Sequence, residues 1–243
     1  HSGKIVGLEA LLRWQHEHLG VLSPGSFLHI ATENQLVGNL EKKALALTHR
    51  DFKKLQKFII DKEIFISLNV SEQQFREKNY IPNLQKIVKF TTINPALFHL
   101  EIPESVLLND PSYMKVFLAS IKGLGFKLSL DDFGTGYSSL TQLYEYPFDF
   151  LKIDNSFMKD IEDDPKKLTL LKSMIQVAHS LKMKVVAEGV ETESVLNILK
   201  KFHCDYAQGF YFSKPLPSDQ TIALLQQNSL SIKEKLTPHA GLQ

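Results

Sequence analysis

Short apolar runs alternate with longer amphipathic stretches along the whole chain, and this pattern limits the available folds more than any single residue does. Lys4–Trp14, Ile64–Val70, Phe98–Ile102, Phe126–Asp131, Phe148–Ile153, Lys184–Ala187 and Asp205–Phe210 read as strands. Helical patterns separate them: one starting near Ser23-Pro24, then Leu40–Ile60, Tyr80–Thr91, Pro111–Lys122, Ser138–Tyr146, Pro165–Leu181, Glu193–Phe202 and Pro217–Gln227. Strands that alternate with helices imply parallel pairing through crossovers. The 243 residues suit a TIM-like (β/α)8 barrel. A doubly wound sheet is the competitor, but it predicts a glycine-rich turn after the first strand, and none is present. Ser2-Gly3 reads as the turn of a β-hairpin whose first arm is missing. The expectation is therefore an α/β, TIM-like barrel lacking its first strand, a fragment of a longer parent. One domain is expected over 1–227, with a polar C-terminal tail over 228–243.

Composition narrows function mainly by exclusion. The 28 basic and 27 acidic residues leave a formal charge of +1, which gives no footprint for DNA, RNA or a membrane surface. The single cysteine, Cys204, rules out an intrachain disulfide and fits a cytoplasmic protein. No apolar run is long enough to insert in a membrane.

The strand ends carry the chemistry. Glu9 lies in the first strand, Asn69 follows IFISL, Glu101 sits in FHLEI, and Asp131 and Asp132 close KLSL. Lys152 closes FDFL, Glu188 follows KVVA, and Gln208 lies in DYAQGF. A polar residue at a strand end is ordinarily a helix cap, and for Asn69, just before Ser71, capping is the default reading. Repetition over successive strands points instead to one shared rim, where a barrel holds its active site. Carboxylates and amides without cysteine favour Mg2+ or Mn2+ over zinc, and so many acidic groups suit two ions. Two ions about 3.5–4 Å apart are a common device for phosphoester hydrolysis. Lys152 adds a cation that can hold the attacking water.

Other motifs read as negatives. Asp132-Phe133-Gly134 lacks the glycine-rich loop and catalytic loop of a protein kinase, and GTGYSS lacks the GK[ST] of a P-loop. Gly134 and Gly136 allow a tight loop, and Ser138 and Ser139 are candidate caps for the next helix. His16 and His18, in HEH, are weak zinc evidence without further ligands.

With these residues quoted, the chain resembles the EAL-domain family of cyclic di-GMP phosphodiesterases. EALLRW at 9–14, LNVS at 68–71, LEIPES at 100–105, DDFGTGYSSL at 131–140, LKID at 151–154, AEGVE at 187–191 and QGFYFSKP at 208–215 match in order. The resemblance implies hydrolysis of cyclic di-GMP to the linear dinucleotide pGpG with Mg2+ or Mn2+. It also implies bacterial second-messenger signalling, a homodimer, and an upstream sensory or GGDEF-type domain. By motif, Glu9, Asn69, Glu101 and Asp131 would bind one metal, Asp131 and Asp132 the second. Lys152 would position the water, and Glu188 would be a metal ligand or general base. Arg13, Asp154, Gln208 and Pro215 would border the substrate. Glu104 would anchor the loop containing Gly134 and Gly136, and Glu191 would support the site. A non-catalytic cyclic di-GMP receptor or regulatory EAL module is the alternative. The family's LTES-like segment reads IPES here, which places Pro103 between the glutamates.

Overall fold

A computed structural model describes residues 3–34, 36–90, 94–108, 110–136 and 140–236. The turn expected at Ser2, the helix end at Thr91, the caps at Ser138 and Ser139 and the tail residues 237–243 lie outside the described residues. The chain forms two compact units, one of Ser2–Phe65 with Pro215–Gln243 and one of Ile66–Lys214.

The first unit opens with strand β1 (Gly7–Ala10), followed by the antiparallel pair β2 (Trp14–His16) and β3 (Gly20–Leu22). The single strand expected over Lys4–Trp14 is therefore shorter, and Trp14 instead opens a hairpin opposite Leu22. The turn explains the break. Gly20 adopts φ +73°, and His16 Nδ1 accepts hydrogen bonds from the backbone N–H groups of His18 (3.0 Å) and Leu19 (3.2 Å). The HEH pair thus builds a turn. Helices α1 (Leu28–Glu33) and α2 (Val37–Lys62) follow. Glu63 ends α2 in the left-handed region at φ 52°, and the Ile64 N–H bonds back to the Ile59 carbonyl. Phe27, Ala31, Phe52, Leu55, Ile59, Ile64 and Leu225 are buried. The last helix, Ser218–Leu236, packs on α2 and is tied to it by Lys54–Asp219 at 3.0 Å. It continues well past Gln227, where the sequence pattern ended it, because SLSIKEKL holds no glycine or proline to stop it. Residues 228–236 are accordingly helical.

The second unit carries the parallel strands. These are β4 (Phe65–Asn69, whose Phe65 falls in the first unit), β5 (Phe98–Pro103), β6 (Lys127–Phe133), β7 (Phe150–Ile153), β8 (Lys184–Ala187) and β9 (Tyr206–Ala207). Between them run α3 (Glu72–Arg76), α4 (Tyr80–Phe90), α5 (Pro111–Gly123), α6 (Leu140–Glu145), α7 (Pro165–Ser180) and α8 (Glu193–Lys201). From β4 to β9 each strand pairs in parallel with the next in chain order. That unbroken order is the α/β, TIM-like progression, with none of the order reversal of a doubly wound sheet. The helix starts follow local chemistry. Asp110 and Asp164 cap α5 and α7 ahead of a first-turn proline, Thr192 caps α8, and Ser71 with Gln74 forms a capping box on α3. Ser71, rather than Asn69, does the capping there.

The core is a continuous cluster between sheet and helices, including Leu100, Ile102, Leu118, Leu128, Leu130, Leu151, Ile153, Ile175 and Val185. Two carboxylates pin the strand starts. Asp149 accepts from Lys122, Lys127 and the Leu128 N–H, and Asp205 from Lys184, His179 and the Val185 N–H. Burial works against ionisation of both, but these donors outweigh it and hold each carboxyl below its ordinary value. Cys204 is buried, which pushes its thiol up to about 12. It is expected to resist a thiol-specific reagent at pH 8 in native protein and to react fully in guanidinium; rapid native labelling, followed by absorbance, would show that this part of the core opens.

Candidate active site

Side chains in a strand alternate between its two faces, so residues two apart line one face. Parallel pairing sets Asn69 beside Glu101, and Asp131 beside Pro103. On one face of the sheet these strands converge on Lys152, whose side chain is only 3% exposed. Its Nζ lies 2.9 Å from Glu101 Oε1, 3.1 Å from Asp131 Oδ1 and 2.6 Å from Glu188 Oε1. One layer deeper on the same face, the His99 and Phe150 rings lie 4.2 Å apart, and Phe150 lies 6.1 Å from Tyr206. These rings form an aromatic layer beneath Lys152, whose side chain is almost fully buried.

Two adjacent aspartates in a regular strand would point to opposite faces. Here the register between β6 and β7 shifts between Leu130 and Phe133, and Asp132 takes a left-handed φ of 55°. The bulge turns Asp132 back towards Asp131. Carboxylate oxygens of Asp131, Asp132 and Glu188 then lie within 4.8 Å of one another, a donor set that fits a hard divalent cation. Burial raises the Asp132 carboxyl above its ordinary value, and neighbouring Asp131 and Asp154 add to the shift. Four carboxylates, Glu101, Asp131, Asp132 and Glu188, thus crowd a single ammonium. That excess of negative charge in a half-dry site calls for more positive charge than Lys152 supplies.

The loop after β6 is held by Glu104, which is buried and whose Oε2 accepts from the Gly134 N–H (2.9 Å) and the Gly136 N–H (3.0 Å). Pro103, which has no N–H, ends β5 without disturbing this contact. Gly134 has φ +98°, and a Cβ there would meet the Phe157 ring at 2.6 Å. Gly136 lies against the Glu104 carboxyl, with 3.0 Å left for a Cβ.

Gln208, Asp154 and Glu191 lie in the same unit as Lys152. Gln208 sits at the end of β9, its N–H bonded to the Ala187 carbonyl and its carbonyl accepting from Val190. Asp154 accepts from the Ser156 N–H at 3.0 Å and so caps the turn after β7. Glu191 is exposed just beyond Val190. Glu9 in β1, Arg13 and Pro215 belong to the other unit, where Arg13 donates to the Leu12 carbonyl at 2.7 Å. Asp149 and Asp205 were not singled out in the sequence, although each stands one residue before a strand and can bond a neighbouring strand's N–H.

Among the described residues no helix is long and apolar enough to cross a membrane. A Synechocystis protein, sll1895, is 32% identical over 228 residues, covering 94% of this chain and 33% of its own length. The cyclic di-GMP phosphodiesterase NbdA of Pseudomonas aeruginosa is 34% identical over 216 residues, covering 89% of this chain and 28% of its own length. The chain thus spans about a third of the length of these curated relatives. The solved structure of the PaMucR phosphodiesterase in complex with c-di-GMP superposes with a TM-score of 0.83 at 31% identity, over 89% of this chain and 87% of that one. The EAL domain model matches residues 1–215, and the chain therefore belongs to the EAL-domain family.

Proposed function

We propose that this chain hydrolyses one phosphodiester bond of cyclic di-GMP, giving linear pGpG, with Mg2+ or Mn2+ at the Lys152 rim. The observation that carries this reading is the buried Lys152 ammonium set among Glu101, Asp131 and Glu188, with Asp132 turned towards the same place by the bulge. Asp131 and Asp132 would hold the cation, with Glu101 and Asn69 on β5 and β4 as further oxygen donors and Glu188 within reach of the same place. When bound, the divalent cations neutralise the phosphate and make a water molecule more acidic. Lys152 donates to the attacking water and fixes its line of approach. Glu188, 2.6 Å from Lys152, would serve either as a ligand of the cation or as the base that takes the proton the water gives up. The water oxygen forms a new bond to phosphorus, the bond to the 3′ oxygen breaks, and that oxygen leaves as a hydroxyl after taking up a proton. Glu104 keeps the Asp131-Asp132 turn in shape through the two glycine N–H groups.

The test is product analysis by chromatography with Mg2+, with Mn2+ and with chelator. Appearance of pGpG that stops with chelator is expected. Glu9→Ala, run beside it, is expected to lose this activity, as the family pattern assigns Glu9 to the metal. Tight binding of cyclic di-GMP without any product would replace the enzyme reading with that of a receptor.

A further inference from the structure

Glu17, His18 and Leu19 join β2 to β3, and Gly20 follows at φ +73°. A hairpin loop of this length commonly ends on a left-handed residue, which glycine supplies without strain. The rest of the turn is held by a side chain. His16 Nδ1 accepts from the His18 N–H at 3.0 Å and from the Leu19 N–H at 3.2 Å. Asn and Asp oxygens ordinarily hold turns in this way, by accepting nearby backbone N–H groups; here an imidazole nitrogen takes that place. It differs from an amide oxygen in one respect, because it can itself take a proton and become a donor. A protonated Nδ1 would point its own N–H at two others, and both bonds would be lost. The facing strand β3, Gly20-Val21-Leu22, carries no titratable side chain, and the Trp14 ring, 4.9 Å from that of His16, meets Phe27 on another side. The titratable neighbours belong to the turn itself: Glu17 and His18 are both exposed, with the His18 ring 6.1 Å from that of His16. Arg13, just ahead of β2, donates to the Leu12 carbonyl.

We propose that His16 is a proton-operated latch on the β2–β3 hairpin: the neutral ring closes the turn, and protonation at Nδ1 releases it. Histidine is the side chain that ordinarily changes charge between about pH 5 and 8, so the latch opens on mild acidification. The closed turn binds one proton fewer than the open one, so its hold is full at the upper end of that range and is lost towards the lower end. The backbone that it frees includes Arg13 and Trp14, which lead into β2. The latch belongs to the hairpin alone and is independent of what the Lys152 rim binds.

Limited digestion of the full chain with a glutamate-specific protease tests the proposal, with cleavage between Glu17 and His18 followed by mass spectrometry at pH 7.5 and pH 5.5. Each rate is divided by that of a free peptide with the same residues 13–22, which removes the response of the protease itself. Protection of the native turn is expected to fall by about fivefold or more at pH 5.5, the scale of losing one hydrogen bond. His16→Asn keeps an acceptor oxygen at the same place and cannot be protonated there, so its protection should stay within about twofold between the two pH values. His99 is retained in both chains, so any general acid loss is common to them. His18→Asn should keep the native response. Trp14, the sole tryptophan, gives an optical reading of the same event: its emission should change over this range in the native chain and hold steady in His16→Asn. A native turn equally protected at both pH values overturns the latch, as does a His16→Asn chain that loses protection like the native one.

Discussion

Replacing Lys152 by methionine is expected to lower pGpG formation by about 10²–10³-fold, the usual cost of removing a fixed charge from the point where charge develops. The reason lies in the surroundings of the ammonium. Glu101, Asp131 and Glu188 each approach it within 3.1 Å, and its side chain is almost fully buried. Methionine keeps much of the volume and removes only the cation, so packing on the His99–Phe150 floor should survive. The carboxylates are then left facing one another. Breaking a buried ion pair by removing one partner typically costs about 3–5 kcal/mol. The variant should therefore melt well below the native chain in chelator, and recover part of the loss in Mg2+, which offers replacement charge. Calorimetry with and without the ion reads this independently of turnover. An unchanged melting temperature together with native activity would remove Lys152 from the site.

The second large effect is in acid stability. His99 is buried against Phe150, and burial lowers its pKa to about 4. In the unfolded chain an ordinary histidine titrates near 6.5. The folded state thus holds fewer protons than the unfolded state between these values, and stability rises with pH through that window. At pH 7 the neutral ring is fully accommodated. As pH falls from about 6.5 to about 4 the stabilisation is progressively lost, on the order of 3 kcal/mol in total. Asp149 and Asp205, held below their ordinary values, add a further loss at lower pH, as their protonation frees Lys122, Lys127, Lys184 and His179. Urea midpoints at pH 7 and pH 4.5 measure the effect. His99→Phe, which removes the titrating ring and keeps the stack, should flatten the dependence in that window. A His99→Phe profile identical to native would assign the acid sensitivity elsewhere.

The strand-helix alternation was readable because it is local: period-two and period-3.6 apolar patterns, the helix starts at Pro111 and Pro165, and the absence of a dinucleotide turn each occupy a few residues. The residue types at strand ends were readable for the same reason. Other features were not. The break after Ala10 depends on His16 Nδ1 serving two backbone N–H groups, and on Gly20. The continuation of the last helix to Leu236 follows from a missing stop signal, which the polar composition of 228–236 obscures.

The sequence by itself determined the α/β class, the order of the strands and the set of polar residues delivered to their ends, since these follow from hydrophobic periodicity and from topology. The tertiary structure alone decided which of them meet. Period-two alternation sends Asp131 and Asp132 to opposite faces, and only the shifted register of β6 against β7, with Asp132 at φ 55°, turns both towards Glu188. Lys152 likewise reads as a surface lysine in isolation. It becomes a buried cation because Glu101, Asp131 and Glu188, tens of residues away in the chain, are carried beside it by strands paired in parallel on either side. Charge compensation is a property of distances in space, and sequence spacing does not encode them.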